Sequence, residues 1–75
     1  LDFQNHEGEL KMKINEMLGA YEVKADRETG EWLTVPEYIG DVYRGGWDKM
    51  MDTDDTHYDT FESLGETCAV RVEWA

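Results

Sequence analysis

Asp52, Asp54 and Thr56 stand at the first, third and fifth places of a calcium-loop spacing, with Asp48, Asp55 and Asp59 crowded into the same stretch. Oxygen ligands at alternate positions are what a hard cation takes, but such a loop also needs glycine at its sixth place and a bidentate glutamate at its twelfth. Those places hold His57 and Ser63, so the expectation is loose cation binding without a built site. Zinc has less to recommend it. His6, His57 and Cys68 have no paired spacing, and Cys68 falls on the apolar side of a predicted strand, where a small buried thiol is the ordinary reading. No cofactor is expected.

Catalysis needs a nucleophile beside a base and a group that stabilises developing negative charge. The chain has no paired Cys/His or Ser/His arrangement, no glycine loop of the phosphate-cradling kind and few cations. Carboxylate pairs can do acid–base work, yet a domain this small has little room for a water-excluding pocket. The expected protein is not an enzyme.

Charge says more. Eighteen acidic side chains face seven basic ones, a formal net charge of −11, which repels polyanions and anionic membranes and attracts basic protein surfaces. Direct nucleic-acid or membrane binding is therefore not expected. Residues 48 to 66 hold seven of the acids and one base. An acidic run is commonly a solvated face, but clustering without interspersed bases costs stability through self-repulsion, which solubility alone does not require. Tyr43, Trp47, Met50, Met51, His57 and Tyr58 lie among or beside these acids, the mixture from which interface anchors are drawn, although Trp47, Met50 and Met51 taken singly suit a core better than an anchor.

Carboxylates along a surface can imitate the phosphates of a duplex, which carry one charge per about 1.7 Å. The expected partner is a basic nucleic-acid-binding protein, a nuclease or Cas-type effector, bound by Tyr43, Trp47, Asp48, Asp52, Asp54, Asp55, Tyr58, Asp59, Glu62 and Glu66 with steep salt dependence. The chain itself is expected to be a monomer or weak dimer. Two other readings remain: an assembly subunit that adds a strand at 67–74 to a neighbour's sheet with Trp74 as contact, and a divalent-cation module.

These side chains need a scaffold. Seventy-five residues make one domain with a thin core, and residues 1–8 are marked as a candidate disordered end. One cysteine allows no internal disulfide and suits the cytosol, and no apolar run approaches the roughly 20 residues of a membrane helix. Residues 9–18 fit a strand through Leu10, Met12 and Ile14 or a helix through Leu10, Ile14, Met17 and Leu18, with Gly19 as terminator favouring the helix. Tyr21, Val23 and Ala25 alternate with polar residues, and a turn with Gly30 at positive φ leads to Trp32–Val35, which predicts a hairpin.

Thr34 and Glu37 form a capping-box pattern around Pro36, and Val35, Ile39, Val42, Tyr43, Met50 and Met51 recur at helical spacing, which predicts the main helix. Cys68, Val70, Val72 and Trp74 alternate as a strand. The expected fold is α+β: a three-stranded antiparallel sheet backed by one main helix, with an additional N-terminal helix or strand.

Two families are similar in part. The segment Pro36–Asp48 resembles the inhibitory helix region of barstar, the bacterial ribonuclease inhibitor, in its P-E-Y-x-G followed at the same spacing by W-D. The resemblance implies roles for Tyr38, Trp47 and Asp48 at a nuclease site. It departs where a second aspartate of that family falls on Arg44 and where Gly45 and Gly46 replace apolar helix residues. More loosely, residues 43–59 look like the small acidic phage proteins of the anti-CRISPR and anti-restriction type, which implies a DNA mimic acting on a Cas-type effector or restriction enzyme.

Overall fold

The computed structural model describes residues 16–75. The readings of residues 1–8 as a disordered end and of 9–15 as helix or strand lie outside the described residues. Met17 and Leu18, placed on that predicted helix, open a strand instead, and Gly19 lies within it.

Among the described residues the elements are β1 (Met17–Ala25), β2 (Glu37–Tyr43), α1 (Arg44–Trp47), β3 (Thr56–Ser63) and β4 (Glu66–Trp74). They form one four-stranded mixed sheet in the order β2-β1-β4-β3. β2 and β3 run antiparallel to their neighbours, and the two central strands, β1 and β4, run parallel to each other. The expected three-stranded antiparallel sheet on a main helix is thus overturned: the helix is a single turn, and the segment assigned to it is the edge strand β2.

The reason is local. Tyr38, Ile39, Val42 and Tyr43 are β-branched or aromatic and lose side-chain freedom in a helix, while Gly40 would cost a helix interior about 1 kcal/mol. In the sheet Gly40 has φ +120° beside a β-bulge, where the register against β1 jumps from Ala20–Gly40 to Tyr21–Tyr38 and leaves Ile39 as the extra residue. Thr34 does not cap a helix; its hydroxyl accepts the Lys24 amide at 2.9 Å.

The predicted hairpin is also corrected. Gly30 does take positive φ (76°) in the turn after β1, but the return segment contributes only an isolated bridge between Ala25 and Trp32, and β1 pairs with residues 37–43. The predicted C-terminal strand is β4, flanked by β1 and β3, so residues 67–74 have no free edge to offer a neighbour's sheet.

Register divides the side chains between two faces. On one, Leu18, Ala20, Ala69 and Trp47 form a buried cluster with Val42 and Tyr58 against it. On the other, Val23, Ala25, Val70 and Val72 pack with Phe61 and Trp74. On the first face α1 lays Trp47 against the central strands. On the second, Trp32 meets Phe61 edge-on with centroids 5.3 Å apart, which brings the loop after β1 down on the sheet. Among the described residues no helix is long and apolar enough to cross a membrane.

Candidate partner-binding surface

Residues 48–55 link α1 to β3, and their path is set by a chain of local bonds. The turn after α1 is closed by Asp48 N–H to the Arg44 carbonyl (2.9 Å) and Met50 N–H to that of Trp47 (3.0 Å). Farther on, Thr53 N–H donates to the Thr56 carbonyl at 2.8 Å and Thr56 N–H returns to the Thr53 hydroxyl at 3.1 Å. Trp74 N–H then takes the Asp55 carbonyl at 2.8 Å.

Arg27, from the loop after β1, donates to the Asp54 carbonyl at 2.9 Å and to Asp55 Oδ1 at 3.0 Å. The acidic loop is therefore held from both sides, and Asp54 keeps a carboxylate without a partner among the described residues.

Asp52 serves the fold as well as the surface. Its Oδ1 accepts the Tyr58 N–H at 2.9 Å, and its Oδ2 lies 2.5 Å from His57 Nδ1. The Tyr58 amide first, and His57 second, hold its carboxyl below the usual range. His57 is raised in turn, chiefly by its hydrogen bond to Asp52, which outweighs the opposing effect of burial, and to a lesser degree by Asp59, whose Oδ2 is 3.4 Å from Nε2. Its ring stacks on Trp74 with centroids 5.9 Å apart.

The ten residues expected to bind a partner do not share one place. Asp52, Asp54, Asp55 and Asp59 gather at the start of β3 around His57 and Arg27. Glu62 and Glu66 lie at the other end of the β3–β4 hairpin, where Glu62 accepts the Thr67 hydroxyl at 2.6 Å. Asp48 follows α1 within 3.9 Å of Arg44. Tyr43 ends β2, on the opposite edge of the sheet from β3, and is 64% exposed. Trp47 is only 9% exposed, its indole N–H given to the Asp59 carbonyl at 2.8 Å, and Tyr58 lies against it with centroids 5.2 Å apart. Trp47 is thus part of the core. Of the residues carrying the barstar resemblance, Tyr38 is on β2 with its hydroxyl donating to Asp41 at 2.6 Å, and Asp48 caps α1.

Two contributors escaped the sequence reading. One is Arg27, together with the Asp26 carboxylate that accepts the N–H groups of Glu28 and Thr29; an aspartate two and three residues ahead of its donors is the signal. The other is an open cleft of about 440 Å³ where β1 and β4 stop pairing, lined by Glu16, Met17, Gly19, Arg44, Glu66 and Cys68 among others. Among the described residues no three His, Cys, Asp or Glu side chains are placed to hold a metal ion, and Asp52 turns its oxygens to Tyr58 and His57.

Comparison of the chain with protein-family models, with curated proteins and with solved structures found no match.

Proposed function

We propose that this chain is a non-enzymatic acidic inhibitor, a nucleic-acid mimic that occupies the basic groove of a nuclease or other nucleic-acid-binding protein. The observation that carries this reading is the pinned loop at 52–55: Arg27, Thr56 and Trp74 fix its backbone while the carboxylates of Asp54 and Asp55 remain exposed. A mimic has to present charge in a fixed array, because ordering a floppy acidic run on binding would consume much of the electrostatic gain. Asp59 and the adjoining Asp26–Glu31 loop extend the acidic area, with Arg27 as the base set among them. The net charge of −11 supplies long-range steering toward a cationic partner. A phage anti-defence role fits this chemistry.

The test is retention of proteins from a bacterial lysate on the immobilised chain at low and high salt, in parallel with Asp54→Asn/Asp55→Asn. The reading expects a basic nucleic-acid-binding protein held at low salt only, and lost from the variant. Retention indifferent to both salt and substitution would exclude it.

A further inference from the structure

Among the described residues the two edges of the sheet are finished differently. On β3, three successive outward amides are closed by the chain's own side chains: Thr56 N–H on the Thr53 hydroxyl, Tyr58 N–H on Asp52 and Thr60 N–H on Asp59. That is a guarded edge, unable to pair with another strand without breaking these bonds. On β2 the alternation is fixed by Arg44 N–H, which donates to the Glu16 carbonyl at 2.7 Å and so turns Val42 and Gly40 toward β1 and Asp41 and Tyr43 outward. Among the described residues nothing bonds to those outward amides.

Register also puts Tyr38, Asp41 and Tyr43 on one face, opposite Tyr21, Gly19 and Met17, and Val42 on the other, against the Leu18–Trp47 cluster. Tyr38, Ile39 and Tyr43 are 56%, 48% and 64% exposed. The strand carries Glu37 and Asp41 and no base, and Arg44 beside it is engaged by Glu16 and Asp48.

We propose that the β2 edge is a docking site for an extended segment of a partner protein, which joins the sheet as a fifth strand with basic and apolar residues in alternation. Main-chain pairing to Asp41 and Tyr43 supplies affinity, and the alternate side chains supply selectivity. On the face of Tyr38, Asp41 and Tyr43, arginine or lysine lies over exposed rings beside a carboxylate, a cation–π and charge-paired setting. On the face of Val42, an apolar residue extends the core cluster. The acidic strand and the chain's net charge of −11 favour this occupant over a second copy, whose own Glu37 and Asp41 would be brought close to their equivalents. The site is separate from the 52–55 loop and stands independently of its function.

The probe is a ten-residue peptide alternating arginine and valine, titrated into the isotopically labelled full chain, with a block-ordered peptide of the same composition as control. Amide shifts are expected to cluster on residues 37–43, exchange at Asp41 and Tyr43 to slow on binding, and the block peptide to bind more weakly. Tyr43→Lys and Asp41→Lys, both at exposed positions, are each expected to weaken the alternating peptide about tenfold or more, the scale on which replacing a residue at the centre of an interface acts. The Trp47 indole resonance reports that each variant still folds.

Shifts confined to 52–59, equal binding of the block peptide, or undiminished binding by both lysine variants would overturn the site. So would Asp41 and Tyr43 amides already protected in the free chain, which would mean that another part of this chain or a second copy covers the edge.

Discussion

The indole N–H of Trp47 donates to the backbone carbonyl of Asp59 across 2.8 Å, and through that bond the one-turn helix α1 is tied to the edge strand that begins at the acidic loop. The same ring covers Leu18, Ala20 and Ala69. One side chain thus joins the core on a face of the sheet and ties α1, which delivers the chain to residues 48–55, to β3.

Trp47→Phe keeps most of the buried area and loses the hydrogen bond, so it should cost about 1 kcal/mol, whereas Trp47→Ala should cost about 3–5 kcal/mol through the cavity it leaves. Urea denaturation checks both. A cost below about 1 kcal/mol for the alanine variant would contradict the burial of Trp47 in the core.

The pairing of Asp52 with His57 makes stability depend on pH in two directions. The His57 pKa is raised above its ordinary 6.5, so its contribution is fully present below that value and is lost as pH rises through the folded pKa. The Asp52 pKa is lowered below 3.8, so its contribution is present above that value and is lost as pH falls through the folded pKa. The urea midpoint should therefore be highest between these limits, and His57→Gln should flatten the fall on the alkaline side. An unaltered alkaline limb in that variant would contradict the pairing.

Gly40 occupies a backbone conformation that residues with side chains rarely adopt, with open space where a Cβ would sit. Gly40→Ala should accordingly destabilise the fold by about 1–3 kcal/mol from backbone strain alone. A neutral effect on the denaturation midpoint would show that the bulge relaxes without cost.

Arg27 and Asp55 are largely solvent-exposed, so their ion pair should add little to global stability. Its work is local. Arg27→Gln should leave the unfolding midpoint within about 0.5 kcal/mol while hydrogen exchange quickens at residues 53–56. Unchanged exchange there would show that Thr53, Thr56 and Trp74 hold the loop unaided.

Legibility in the sequence followed how cleanly each strand keeps a period of two. The alternation of Cys68, Val70, Val72 and Trp74 identifies β4, and Tyr21, Val23 and Ala25 identify the second half of β1, because neither segment is interrupted. β2 reads as a helix because Ile39, the extra residue of the bulge, stands three and four places before Val42 and Tyr43, a spacing that belongs to one face of a helix and that an unbroken strand does not keep. β3 was hidden differently. Thr56, Tyr58 and Thr60 alternate with His57, Asp59 and Phe61, but neither side is apolar throughout, so the acids stood out and the strand did not. The parallel pairing of β1 with β4 joins residues about fifty apart and leaves no local mark.

The candidate surface was legible to the same degree. Composition marked Asp52, Asp54 and Asp55, but only the fold separates the structural Asp52 from the outward Asp54, and only the fold brings Arg27 to them. Nothing in the spacing of Glu62 and Glu66 said that a strand's length would separate them from the loop.

The most direct measurement is displacement of duplex DNA from a panel of purified bacterial nucleases and Cas-type effectors by the intact chain at low salt, repeated with Asp54→Asn/Asp55→Asn. A mimic displaces DNA from at least one of them, and the double variant does so at least about tenfold less well, as expected when two charges in a cationic groove are removed. Displacement from none, or equal displacement by the variant, would contradict the proposal that the 52–55 carboxylates stand in for phosphates.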